Sequence, residues 1–446
     1  MGLINLHLLS ATEAARLIRD GVINSEQLVQ ACLERIRDVD PQVQAWAFLD
    51  PEYALTQARA LDQIRLEGRP IGPLHGVPVA IKDIFDTADM PTEYGSPIHA
   101  GRTPSRDATA VALLRGAGAV IMGKSVTTEF AFLSPGKTRN PHNPAHTPGG
   151  SSSGSAAAVA AHMVPLAIGS QTAGSTIRPA SYCGVIGFKP THGLISRHRV
   201  SPLSRTLDHV GLFARTLDDI ALLAEQLAAF DENDPDTRPC ARTPFSTIST
   251  EDPPLAPMFA FIKTPMWQRA DDETKEGFAE IAEQLGAQME EVELFPSAHE
   301  AWQWHQTIMG AEVAHNFERE WQNSRALLSE HLRAQIERGL EVRAVDYQRA
   351  RKQIPLLHDS FVELFEQRYD AILTPAAPSA APRGLTSTGD PSFCTLWTLC
   401  GMPSLTLPLL QSSEGLPIGV QLVGPRGGDA RLLRTARWLS KKMAEG

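Results

Sequence analysis

An α/β fold is predicted by three observations. Short apolar runs that read as buried strands alternate with helical patterns, such runs occur near both ends of the chain, and no internal repeat divides it. Alternation of this kind implies layers, with a mostly parallel sheet covered by helices. Strands at both ends are better served by one closed sheet than by two domains, and 446 residues is within the range of a large α/β unit.

The elements follow in order. Ser10 with Glu13 makes a capping box ahead of "AARLI", and Asn24 or Ser25 can cap "EQLVQACLERIRDV". "VPVAI" (77–81) and "AVIM" (119–122) read as short buried strands, "AAAVAAHM" (156–163) as a small-residue helix and "VPLAIGS" (164–170) as another strand. Residues 230–257, rich in proline, acid and serine, read as a connection, and 270–370 as mostly helical. Strands return with "AILTP" (371–375), "SLTLPL" (404–409) and "IGVQLVG" (418–424), and "DARLLRTARWLSKKM" closes the chain as a helix.

Composition narrows the function classes. A net charge of −10 without a basic run gives no electrostatic reason to expect nucleic acid. Five cysteines, widely spaced and without a CxxC pair, give neither a disulfide framework nor a zinc site. No stretch is long and apolar enough to span a membrane, and "MGLINLHLLSATEAARLIRDG" lacks the pattern of a secretory leader, so a cytoplasmic location is expected.

Several motifs match by letter and fail on context. "GAVIMGKS" (Gly118 to Ser125) fits the phosphate-loop pattern, but that loop must be flexible and glycine-rich, and Ala119 to Met122 favour a buried strand. A nucleotide-binding reading through Gly118–Ser125 is therefore a remote alternative. "SPGK" (134–137) matches S-x-x-K, which needs a helix that its proline and glycine break. "GSSSG" (150–154) matches a nucleophile elbow centred on Ser152, but the proline-rich "NPHNPAHTPGG" before it is not a central strand.

Three features are specific together. Lys82 ends the apolar run of "GVPVAIKD"; taken alone it reads as a strand-end lysine reaching for water. "PGGSSSGSAAAVAA" (148–161) packs four serines among small residues. In "GSQTAGSTIRPASYCGVIGFKPTHG", Ser175 follows Thr172, Ala173 and Gly174, small residues whose amides a ligand can approach closely.

On these three stretches the chain resembles the amidase signature family, from the N-terminal helices to the closing "GLPIGVQLVGPRGGDARLLRTARWL" and most weakly over about 230–370. The spacing matches as well, since Ser175 lies 24 residues after Ser151. The resemblance implies one domain over residues 1–446, with a central twisted mixed sheet and helices on both faces. The variable stretch of about 230–370 would form part of the cleft. It further implies a hydrolase of amide or carbamate C–N bonds, with Ser175 as nucleophile, Ser151 as proton relay and Lys82 as base. Ser152 supports the network, and Gly150 precedes a cis peptide to Ser151. The amides of Thr172, Ala173, Gly174 and Ser175 form the oxyanion hole, and no metal or cofactor is required.

Two positions depart from the usual family pattern: Gln171 stands where an acid is common, and Arg178 lies three residues after Ser175 rather than two. "TTEFAF" (127–132) corresponds to a family loop beside the scissile group, which makes Thr128 and Phe132 candidate substrate contacts. Trp302, Trp304 and Trp321 would favour an aromatic substrate if they lined the cleft. The expected enzyme is an independent aryl amide or urethane hydrolase, a monomer or homodimer without nucleic acid or membrane. A glutaminase subunit of a transfer-RNA-dependent amidotransferase is the alternative.

Overall fold

The computed structural model describes residues 5–445. The expectations for the leader region and for a domain over 1–446 include residues 1–4 and 446, which lie outside the described residues. The chain forms a single α/β domain around an 11-stranded mixed sheet. The strands are β1 (Trp46–Leu49), β2 (Pro78–Lys82), β3 (Val120–Ser125), β4 (Leu166–Gln171), β5 (Ile186–Lys189), β6 (His209–Ala214), β7 (Phe259–Phe261), β8 (Met289–Glu291), β9 (Ala371–Pro375), β10 (Ser404–Gln411) and β11 (Pro417–Val423). Their spatial order is β1-β3-β2-β4-β6-β5-β10-β11-β9-β7-β8.

The sheet is mixed, as the family resemblance implies, and the mostly parallel sheet suggested by strand–helix alternation alone is corrected. β2 runs parallel to β3 and β4, and β7 parallel to β8 and β9, while the other six pairings are antiparallel. The reason is local. β10 and β11 are joined by a tight turn, which permits only an antiparallel pair, whereas the parallel pairs have helices between their strands. Strands β2, β3 and β4 are buried along their whole length, as expected for parallel strands covered on both faces.

The N-terminal helices start where the capping residues lie. Ser10 Oγ accepts the Glu13 amide, and Asn24 forms a complete capping box with Gln27. The connection at 230–257 contains a short helix, Phe245–Thr250, that its composition hid. "GAVIMGKS" is strand β3 itself, with Lys124 buried inside, so the phosphate-loop reading fails for want of a loop. All five cysteines are free thiols. Among the described residues no helix is long and apolar enough to cross a membrane.

Small residues place the site. The helix Ser153–Ala160 packs so closely that a Cβ on Gly154 would lie 2.3 Å from the backbone of both Ala45 and Val126. Ala156, Ala157 and Ala158 of this helix are fully buried. On β4, a Cβ on Gly169 would lie 2.6 Å from Ser152 Oγ. Glycine there lets the serine turn rest on the strand beside Lys82.

Candidate active site

Lys82 is the last residue of β2, a central strand flanked on both sides, and its side chain is 0% exposed. Its Nζ lies 2.7 Å from Ser151 Oγ, 3.0 Å from Ser152 Oγ and 2.8 Å from Ser170 Oγ. Burial drives its pKa well below the usual lysine value, with the Asp208 charge opposing in part. In its neutral form, which burial favours, the amine has two N–H groups and one lone pair, so one of the three hydroxyls then donates to it. Ser152 is excluded from that role. Its single proton goes to the Ser170 carbonyl at 3.1 Å, while it accepts the Ser170 amide at 3.2 Å. Ser151 and Ser170 remain.

The serine turn is held from three directions. Arg178 Nη2 donates to the Gly150 carbonyl at 2.7 Å, and the Thr128 amide donates to the Ser151 carbonyl at 3.2 Å. Ser153 Oγ donates to the Val126 carbonyl at 3.3 Å. The Gly150–Ser151 peptide is cis. Arg178, displaced by one position from the family's usual arginine, thus ties the Ser175 segment to the Ser151 turn.

The segment from Thr172 to Ser175 is oriented by its carbonyls. Thr172 O accepts from His305 Nε2 at 2.8 Å, Ala173 O from Thr398 Oγ1 at 2.8 Å, and Gly174 O from the Arg178 amide at 2.9 Å. In a trans peptide the N–H points opposite to the C=O, so these three bonds aim the amides of Ala173, Gly174 and Ser175 the other way. Among the described residues none of the four amides from Thr172 to Ser175 donates to a protein acceptor. Gln171, in place of the usual acid, accepts the Thr176 and Ile177 amides with Oε1 and donates to Thr398 with Nε2. A neutral amide serves both ends, where a carboxylate could only accept.

Ser175 is 9% exposed, and its Oγ has no protein hydrogen bond among the described residues. A cavity of about 550 Å³ is lined by Ser170, whose hydroxyl bonds to Lys82 Nζ, and by Thr172; Lys82, Ser151 and Ser175 are not among its lining residues. Charged side chains line it, among them Arg197, Arg199, Asp208 and Glu312, but most of its exposed surface is apolar. Glu312, near the end of the helix Ala301–Asn316, brings the helical stretch into the cleft wall. Asp208 accepts from Thr172 Oγ1 at 2.6 Å, and burial raises its pKa to about 6.

Thr128 lies beside the serine turn and donates its hydroxyl to the carbonyl of Phe132, a buried core residue; neither side chain lines this cavity. The three tryptophans are also outside it: Trp302 stacks on His305, Trp304 packs on the core, and Trp321 lies under Arg325. Ser170, Asp208, His305 and Thr398 escaped sequence reasoning. Ser170 had one usable signal, a hydroxyl near the end of a buried strand five residues before Ser175. The other three are brought in by distant parts of the chain.

A buried amine among hydroxyls, with open backbone amides and a cavity bearing charged side chains nearby, is an arrangement suited to acyl transfer. The chain belongs to the amidase family, whose profile matches residues 27–433. It is an enzyme acting on amide C–N bonds. It is 35% identical, over 96% of its length and 95% of the relative's, to a glutamyl-tRNA(Gln) amidotransferase subunit of Chloroflexus aurantiacus. Its fold is similar to peptide amidase from Stenotrophomonas maltophilia (TM-score 0.85, 28% identity, covering 98% of this chain and 97% of that one). It is also similar to a protein from a vestigial complex tied to the origins of an s-triazine catabolic enzyme (TM-score 0.90, 27% identity, covering 97% and 98%).

The first of these corrects the expectation of an independent enzyme, monomer or homodimer, with no nucleic-acid connection. The relative is by name one subunit of an amidotransferase, and that amidotransferase is named for a transfer RNA. Net charge describes a single chain and carries no information about an assembly's other parts.

Proposed function

We propose that this chain is the amide-cleaving subunit of a heteromeric amidotransferase, releasing ammonia from glutamine through an acyl-enzyme on Ser175. The observation that carries the chemistry is Lys82 Nζ at 2.7 Å from Ser151 Oγ, where burial lowers the lysine pKa and favours the neutral amine. Ser175 Oγ attacks the carboxamide carbon. Its proton passes to Ser151 as the Ser151 proton passes to the Lys82 lone pair. The oxyanion is met by the open amides of Thr172 to Ser175, each such donor being worth about 3 kcal/mol. Collapse breaks the C–N bond, and the relay returns its proton to the departing nitrogen. Water then cleaves the ester by the same route, giving the acid and free Ser175.

Two observations favour a substrate bearing a charged group over an aryl amide or urethane. Charged side chains line the cavity, whose surface is otherwise mostly apolar, and none of the three tryptophans lines it. Membership of a larger assembly is supported by the relative matched across nearly the whole chain.

The test uses the full chain with a fluorophosphonate probe, followed by assays on glutamine and an aryl carbamate. Labelling lost in Ser175→Ala and glutamine turnover lost in Lys82→Ala are the expected results. Labelling that depends instead on Ser152 would overturn the assignment of the nucleophile. Aryl carbamate turnover far above that of glutamine would overturn the substrate class. Affinity purification from the source cells should bring down further subunits, and full glutamine turnover by the isolated chain would remove the heteromeric reading.

A further inference from the structure

The charged side chains that wall the 550 Å³ cavity are, with one exception, already neutralised or hydrogen-bonded. Arg197 is paired with Asp234 and Asp236, and Arg205 with Asp236. Asp208 accepts from the Thr172 hydroxyl and from the Leu203 and Ser204 amides. Glu312 accepts from Ser204, Thr206 and Tyr347. Arg199 is the exception: among the described residues its guanidinium makes neither a hydrogen bond nor an ion pair, although it is half-buried in the cavity wall.

Its backbone makes the placement more telling. Arg199 has φ of 62°, the left-handed region that side-chain-bearing residues avoid and glycine occupies freely. The conformation is fixed from outside: the Arg199 carbonyl accepts the Asp86 amide at 3.1 Å, and Val200 bridges to Phe85. A glycine would meet these backbone demands without strain. The chain instead carries the residue best suited to forked, two-point recognition of a carboxylate. Among the described residues the guanidinium has no protein partner, which leaves it available to what enters the cavity.

We propose that Arg199 is a carboxylate anchor, so that the amide cleaved at Ser175 carries an anionic carboxylate remote from its scissile bond. This rests on the amide-cleaving reading above and names the residue that selects the substrate. A free, partly desolvated cation in a cavity with otherwise satisfied walls favours an anion over a neutral ligand. Glutamine, whose α-carboxylate lies at the far end from its carboxamide, meets the requirement.

The test compares two amides, glutaramate and its methyl ester, on the full chain assembled with any subunits it requires. Arg199→Gly is the variant of choice because glycine accepts the left-handed φ and so spares the fold. We expect its KM for glutaramate to rise tenfold or more with little change in kcat, and its KM for the ester to stay within twofold. Arg199→Lys, which keeps the charge, should recover part of the loss. Equal changes on both amides, or none on either, would overturn the anchor. A binding readout stands apart from turnover: glutarate should raise the melting temperature of the unaltered protein and not of Arg199→Gly. If neither amide is cleaved, the amide-cleaving reading fails. In that case the Arg199-dependent glutarate shift still decides the anion site.

Discussion

Two buried lysines sit on neighbouring strands and face opposite fates. Lys82 ends β2 and Lys124 lies on β3, both 0% exposed; Lys82 pairs in register with Ser125, and Lys124 with Ile81. The offset of one residue sends their side chains to opposite faces of the sheet. Lys124 meets the Phe85 carbonyl at 2.7 Å, Thr92 Oγ1 at 2.5 Å and the Asp83 carboxylate at 3.5 Å. Burial lowers its pKa only to about 8, because the Asp83 charge offsets part of the desolvation. Lys82 meets three hydroxyls, and the charge of Asp208 opposes its desolvation more weakly. Burial alone therefore does not distinguish the two. In the proposed mechanism Lys82 acts as the base because its partners accept a neutral amine, whereas the carboxylate beside Lys124 fits a structural role.

Substitution separates the two roles. Lys82→Ala should lower kcat by about 10⁴-fold with the fold retained, the scale of a lost general base, as read by steady-state turnover and a melting curve. Lys124→Met should do the reverse. It strands Asp83 in the interior and should cost about 3–5 kcal/mol of stability, measured by denaturant unfolding, while kcat of the folded fraction is kept. A large kcat loss in Lys124→Met with unchanged stability would sink the comparison.

Ser152→Ala sharpens it further. Ser152 only accepts from Lys82, so its loss should cost about 10- to 100-fold in kcat/KM, the worth of one buried hydrogen bond of about 1–3 kcal/mol. That is well short of the effect of Ser151→Ala, and equal effects would assign the relay differently. The pH dependence distinguishes the lysines as well. The folded Lys82 pKa is depressed below 10.5, so between its folded value and 10.5 the unfolded chain holds a proton that the folded one lacks. Stability relative to Lys82→Met should therefore rise with pH through that window, by at most about 1.4 kcal/mol per pH unit. It should be lost as pH falls through the folded value, and kcat/KM should fall over the same range as the amine is protonated. Parallel melting curves and pH–rate profiles would show both. The smallest effect is expected for Thr398→Val, which removes the hydroxyl on Ala173 O. A loss of about 1 kcal/mol, roughly fivefold in kcat, follows if that bond only helps to orient the Gly174 amide.

What sequence alone determined is local and periodic. Apolar runs such as "VPVAI" placed strands, and the Ser10 and Asn24 caps placed helix starts. The fold class and the family were legible because the lysine run, the glycine–serine run and the Ser175 run are contiguous motifs. Strands β1, β5, β6, β7 and β8 were not anticipated, and all but β6 are only three or four residues long; such segments are defined by pairing and not by their own pattern. Tertiary structure decided the rest of the site. His305 and Thr398 reach the Thr172–Ser175 segment from 133 and 225 residues away, and no local spacing encodes such a meeting. The same holds for the two lysines. Each follows apolar residues in a buried strand, and only the register of β2 on β3 turns one toward hydroxyls and the other toward a carboxylate.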